Sequence, residues 1–121
     1  MTQALSKSSQ LSYAMVKEIS DIYQIDRAAV RRILGISEST QFRYEKKNPI
    51  LKPNLADRWS RFERILKQAE ELFEDKTETQ KWLSTPKVDL KVKSPVEALA
   101  TDAGAKQVEQ MLARAAYGIF S

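Results

Sequence analysis

One apolar stripe in the middle of the chain constrains the fold more than any other feature. Leu55, Trp59, Phe62, Leu66, Ala69 and Phe73 follow one another at steps of 4, 3, 4, 3 and 4. That spacing is one face of an α-helix, and it predicts a single helix over about 53–74. Pro53 suits its first position, where a missing N–H costs nothing. The stripe must face a neighbour, and the expectation is intramolecular core rather than a dimer seam. Arg58, Arg61, Arg64 and Lys67 lie off it. They are placed to meet DNA, a dimer mate or water, with water the default for each.

Short helices are predicted on both sides. Residues 11–23 put Leu11, Met15, Ile19 and Ile22 on one face. Asp26 caps a helix over 27–34 whose inner side is Val30, Ile33 and Leu34, and Gly35 ends it as a left-handed C-cap. Ile36 then points inward. Ser37 caps a helix over about 38–47, which Asn48-Pro49 stops. After the long helix comes one over about 76–84 carrying Trp82 and Leu83, ended by Thr85-Pro86. Val88, Leu90 and Val92 alternate with charge; with no partner strand in sight the segment 87–94 reads as an extended loop. Ser94 and Pro95 start a short helix ending near Ala100. Thr101 or Asp102 starts the last helix, with Val108, Met111, Leu112 and Ala115 inward and Gly118 as its stop. The fold class is all-α.

Composition narrows the chemistry. The 121 residues contain no cysteine and no histidine. That removes disulfides, thiolate nucleophiles, the commonest metal ligand and the commonest general base. Only three glycines occur, at 35, 104 and 118, so there is no Gly-rich phosphate loop. Candidate acids exist in Glu70, Glu71, Glu74 and Asp75, but Glu70 and Glu71 read as a solvated helix face. The expectation is a protein without catalytic activity, cofactor, metal or small-molecule substrate. No apolar run reaches membrane-spanning length, and the polar N-terminus is no secretory signal; a cytoplasmic protein is the default.

The net charge of +4 is unevenly spread. Residues 1–67 carry thirteen Lys and Arg against seven Asp and Glu, a net of +6, and residues 68–121 carry seven against nine, a net of −2. A basic half suits phosphate and a near-neutral half suits protein. Within the basic half, residues 26–47 have the layout of a helix-turn-helix, in which the second helix presents its first turn to base edges. Ser37, Glu38, Ser39, Gln41 and Arg43 are the candidate readers: Gln pairs with adenine, Arg with guanine, and Glu accepts from cytosine. Arg31, Arg32, Lys46 and Lys47 suit phosphate.

Ile36-Ser37 and Thr40 resemble the Gly-Ile-Ser-x-x-Thr turn of Xre-type antitoxins. Gln41 departs from that family, which has an apolar residue there; Phe42 or Tyr44 is the candidate replacement for its packing. The second half carries Leu72-Phe73-Glu74-Asp75, Trp82-Leu83, Ser94-Pro95-Val96-Glu97-Ala98-Leu99, Gly104, Val108, Leu112 and Tyr117-Gly118-Ile119-Phe120-Ser121. Their order over about fifty residues is similar to the C-terminal toxin-binding domain of the Xre/MbcA/ParS antitoxins. Gly104 reads as a close backbone approach, and Trp82 and Leu83 as core under the last helix.

The resemblance implies two domains, a helix-turn-helix and dimerisation domain over 1–67 and a toxin-binding domain over 68–121. It implies a RES-domain toxin, which depletes NAD, as the protein partner. It also implies operator DNA as a second partner, repression of the chain's own operon, and a homodimer. The positions matching the toxin-binding tail are Arg114, Tyr117, Gly118, Ile119, Phe120 and Ser121. An arginine there can pair with acceptors in a nucleotide pocket, and Tyr117 and Phe120 are rigid anchors of the kind that fill clefts. Two other readings stay open: a plain repressor whose second half only dimerises, and a toxin-binding protein whose helix-turn-helix has lost DNA affinity.

Overall fold

The computed structural model describes residues 10–120, and side chains as far as Gly118. Seven α-helices follow one another among them, with no strand: α1 (Tyr13–Ile22), α2 (Arg27–Leu34), α3 (Glu38–Lys47), α4 (Pro53–Phe73), α5 (Lys76–Ser84), α6 (Pro95–Ala98) and α7 (Asp102–Phe120). The chain gathers into two compact units, Met1–Ser60 and Arg61–Ser121. Their division falls inside α4, seven residues before the domain boundary expected from the sequence.

In the first unit α1, α2 and α3 each begin on a side-chain cap. Ser12, Asp26 and Ser37 accept from the backbone N–H groups of Met15, Ala29 and Thr40, each satisfying a donor that the first turn leaves orphaned. Gly35 ends α2 at φ 70°. A side chain there would be strained by the left-handed backbone, and its Cβ would also crowd the Arg58 guanidinium at 3.1 Å. Arg58 donates to the carbonyls of Ile33 and Arg32 at the end of α2. Of the outcomes open to it, it takes a fourth, closing a helix C-terminus of its own unit. Asn48 ends α3 at φ 47°, and its side-chain oxygen accepts from Ala14 N at 2.6 Å in the first turn of α1. One residue thus stops one helix and helps to start another.

Ile33, Leu34, Leu51, Leu55 and Trp59 are buried here, as are Tyr13, Val16 and Tyr23 of and beside α1. The last three correct the sequence reading. Of the face expected inward, Met15 and Ile22 are 44% and 53% exposed, and Leu11 and Ile19 are half-buried. Both sets have helical spacing. The burial goes to the two tyrosines, which have the larger apolar area, and Tyr13 also finds a partner for its hydroxyl.

In the second unit Phe62, Ile65, Leu66 and Ala69 of α4 are buried, with Leu83, Leu99, Val108 and Leu112 from the later helices. Arg61 pairs with Asp102 at 2.5 Å and donates to Leu99 O, and Arg64 lies 3.7 Å from Glu109. Arg61 therefore faces α7, while Arg64 reaches toward it with a side chain still 63% exposed. Asp75 caps α5. Ser94 and Glu97 close a capping box around α6 with Pro95 at its start. Gly104 permits the close approach expected of it: a Cβ there would stand 1.9 Å from the Ala98 carbonyl oxygen.

Three expectations fail between residues 87 and 118 of this unit. Residues 87–94 are neither strand nor extended loop. They form one 3-10 turn, Val88–Leu90, closed by a Lys87–Lys93 bridge. Leu90 is buried while Val88 and Val92 point outward. Gly118 does not stop α7, which runs on to Phe120; glycine weakens a helix without forbidding it. Ala115 is exposed and Met111 half-buried, so the inner side of α7 is carried by Ala105, Val108 and Leu112.

Candidate recognition surfaces

The turn between α2 and α3 is set by hydrogen bonds rather than by bulk. Ser37 Oγ accepts from Thr40 N at 3.1 Å and donates to Thr40 Oγ1 at 3.0 Å. This is why a serine and a threonine three apart mark the start of this helix. Ile36 is half-buried beneath it. The outward surface of α3 carries Glu38, Ser39, Phe42, Arg43, Lys46 and Lys47, all exposed, and Ser37 is exposed at its cap. Arg32 is exposed on α2, while Arg31 is half-buried.

Gln41 does not belong to that surface. It is fully buried. Its amide nitrogen donates to Tyr13 Oη at 3.1 Å and to Arg27 O at 3.0 Å, and its oxygen accepts from Arg31 Nη1 at 3.0 Å. A buried amide is tolerated when its donors and acceptor are occupied. Gln41 thus fills the position where the resemblance led to the expectation of an apolar residue, and joins α3 to α1 and α2. Its neighbour Phe42, considered as a packing residue from the sequence, is instead 56% exposed, with Lys46 Nζ 4.9 Å from its ring. Tyr44 is half-buried and meets Tyr13 edge-on at 5.9 Å, so the packing passes to Gln41 and Tyr44. Burial pushes the Tyr13 hydroxyl above the usual tyrosine range.

The start of α2 is tied to α3 by a two-pronged pair. Arg27 Nε and Nη2 lie 2.6 and 2.9 Å from the two Glu45 oxygens. The bond to Arg27 holds the Glu45 carboxyl below its ordinary range. A carboxylate close to a would-be phosphate surface is thereby matched by a cation.

The second candidate surface lies in the C-terminal unit. Leu72, Phe73, Trp82, Asp89, Met111 and Arg114 line a groove of about 370 Å³. Trp82 is a wall of this groove rather than core. It is half-buried, tilted against Phe73 at 5.9 Å, with Lys87 Nζ 5.0 Å over its ring. Burial lowers the affinity of Lys87 for its proton. Leu83 is the buried member of the Trp82-Leu83 pair. Arg114 and Gly118 are exposed, and Tyr117 is 76% exposed. The side chains of Ile119 and Phe120, and Ser121 as a whole, lie outside the described residues. Among the described residues no group of three or more acidic side chains is placed to hold a metal ion, and no helix is long and apolar enough to cross a membrane.

Comparison with known proteins gives two family matches in series. Residues 5–64 match the antitoxin Xre-like helix-turn-helix domain, and residues 68–118 match the antitoxin Xre/MbcA/ParS C-terminal toxin-binding domain. A protein named Antitoxin Xre from Yersinia enterocolitica is 33% identical over 98 residues. The alignment covers 80% of this chain and 66% of that relative's own length.

Proposed function

Because the chain belongs to the Xre/MbcA/ParS antitoxins, we propose that it binds and neutralises a toxin through residues 68–121 and represses its own operon through α2 and α3. The observation that carries this reading is the order of the two matches, a DNA-binding type of domain followed by a toxin-binding one, over 5–64 and 68–118. The toxin we assign to it is of the RES type, which depletes NAD. Neutralisation is by occlusion: the C-terminal stretch, from Arg114 through Ser121, enters the toxin's active-site cleft.

The exposed Arg114 and Tyr117 suit that task. A guanidinium matches the carboxylate and phosphate acceptors of a nucleotide site, and an aromatic side chain contributes contact area with little rotamer freedom to lose. On the other unit, Arg43 is the candidate base reader, with Glu38, Ser39 and Phe42 beside it and Lys46, Lys47 and Arg32 toward phosphate. An exposed phenylalanine on a groove-facing helix can contact a thymine methyl. Met15, Ile19 and Ile22 leave an apolar strip on the outside of α1, which is the surface we assign to homodimer contact. Glutamate at Met15 or Ile22 should then give a folded monomer in light scattering.

Co-expression with the protein encoded beside this gene tests the function. Copurification with rescue of growth and of cellular NAD is the expected result. A partner that copurifies without NAD rescue would exclude the RES assignment. No complex, together with salt-dependent binding to the upstream DNA, would leave a repressor alone.

A further inference from the structure

The turn between Lys87 and Lys93 is an unusual piece of surface. Its two outward residues, Val88 and Val92, are 88% and 72% exposed, the first more than any other large apolar side chain described as exposed. Its backbone is also strained. Lys91 and Val92 both have left-handed backbones, at φ 58° and 66°. For a β-branched residue that region is a genuine outlier, because the branched Cβ crowds the following carbonyl. Glycine would be the default at either position.

The turn is nevertheless tightly held. Val92 N donates to Lys87 O at 2.9 Å, Lys91 N to Val88 O at 3.0 Å, and Lys87 N to Lys93 O at 3.0 Å. Leu90 anchors it from beneath. A rigid, strained turn that presents two bare valines between three lysines is poorly explained by the folding of this unit alone. Strain of this kind persists where a function uses it.

The position of the turn says what meets it. Asp89 lies in it and lines the same groove as Met111 and Arg114 of α7. The turn is thus continuous with the helix end assigned above to the toxin, and it falls within the stretch matched as a toxin-binding domain. We infer that Val88 and Val92 form a second toxin-docking element, seated on an apolar rim with acidic neighbours that pair with Lys91 and Lys93. The inference rests on the toxin-binding reading. It adds a surface some residues away from the tail, which holds the toxin while the tail closes its cleft.

Val92→Gly separates docking from folding, because glycine keeps the backbone conformation and removes the side chain. With the full-length chain and the purified toxin that copurifies with it, the variant should melt higher by roughly 4–8 °C. It should also bind the toxin about tenfold more weakly, mainly through faster dissociation. Val88→Asn, where no strain is relieved, should weaken binding comparably at unchanged melting temperature. Unaltered affinity in both variants overturns the inference while leaving the tail's role intact. A lower melting temperature for Val92→Gly overturns the strain argument. Loss of a dimer in light scattering with toxin affinity kept would assign the valines to a second copy instead and overturn toxin docking. A wild-type chain that captures no toxin overturns both readings.

Discussion

Gln41→Met tests whether this side chain is a strut or a reader of bases. Methionine has nearly the volume of glutamine, so the cavity contribution is small. What is lost is three hydrogen bonds, and they are unequal. The Arg27 carbonyl belongs to the first turn of α2 and keeps its intrahelical partner. Arg31 is half-buried and can turn its guanidinium to water. The Tyr13 hydroxyl belongs to a residue only 4% exposed, and leaving such a group without its partner costs about 1–3 kcal/mol. The expected loss is therefore about 2 kcal/mol, or a fall in melting temperature of roughly 8–16 °C for a unit of this size. Trp59 lies in the N-terminal unit and Trp82 in the other, and they are the chain's two tryptophans. Urea unfolding followed by Trp59 fluorescence in a Trp82→Phe background therefore reports on the right unit. Tyr13→Phe should cost less in the Gln41→Met background than in the wild type, since the two share one bond. A Gln41→Met protein that unfolds within about 0.5 kcal/mol of wild type, yet has lost discrimination at one A·T pair of its operator, would refute the argument. The glutamine would then leave its buried site to meet adenine.

Four further outcomes follow from the same geometry. Gly104→Ala brings a methyl group 1.9 Å from a backbone oxygen; it should destabilise the C-terminal unit by about 3 kcal/mol or more, read as early loss of Trp82 fluorescence with Trp59 unaffected. Arg43→Ala should relax operator specificity, whereas Lys47→Ala should weaken all DNA sequences alike and lower the salt slope by about one; equal, sequence-independent losses would show that Arg43 touches only phosphate. Deleting residues 118–121 should weaken toxin neutralisation with the helical circular dichroism kept, and full neutralisation by that truncation would sink the occlusion mechanism. The Glu45 carboxyl has a folded-state pKa below its unfolded one, so its contribution is present above the ordinary carboxylate pKa and is lost as pH falls through the depressed value. Arg27→Ala should flatten that acid limb of the stability curve, and an unchanged curve would show the pair to be idle.

Local chemistry was legible in the sequence because it is written in neighbouring residues. Asp26, Ser37 and Ser94 cap the helices they precede, Gly35 and Asn48 end theirs, and Pro53 opens the long one. Each of these depends on atoms within four residues. The close approach at Gly104 and the stripe of α4 were legible for a similar reason, since a missing side chain and a helical period are both linear signals. The order of motifs in the second half carried the family.

Facing and partnership were decided only by the tertiary structure. Two helical stripes competed on α1, and periodicity has no means to rank them; the tyrosines went inward because Tyr13 could reach Gln41. Gln41 looked like a base reader because polar residues at the start of such a helix usually are, and it is buried because three partners from α1 and α2 converge on it. Arg58 and Arg61 looked like spare surface charge, and found backbone carbonyls 25 and 38 residues away in sequence. The alternation of Val88, Leu90 and Val92 suggested an extended segment, and became a closed turn because Leu90 alone had a core to enter. Sequence determines where helices begin and end, through bonds of short range. Which face is buried, and which polar group is satisfied, is a competition between distant residues that exists only once the helices are packed.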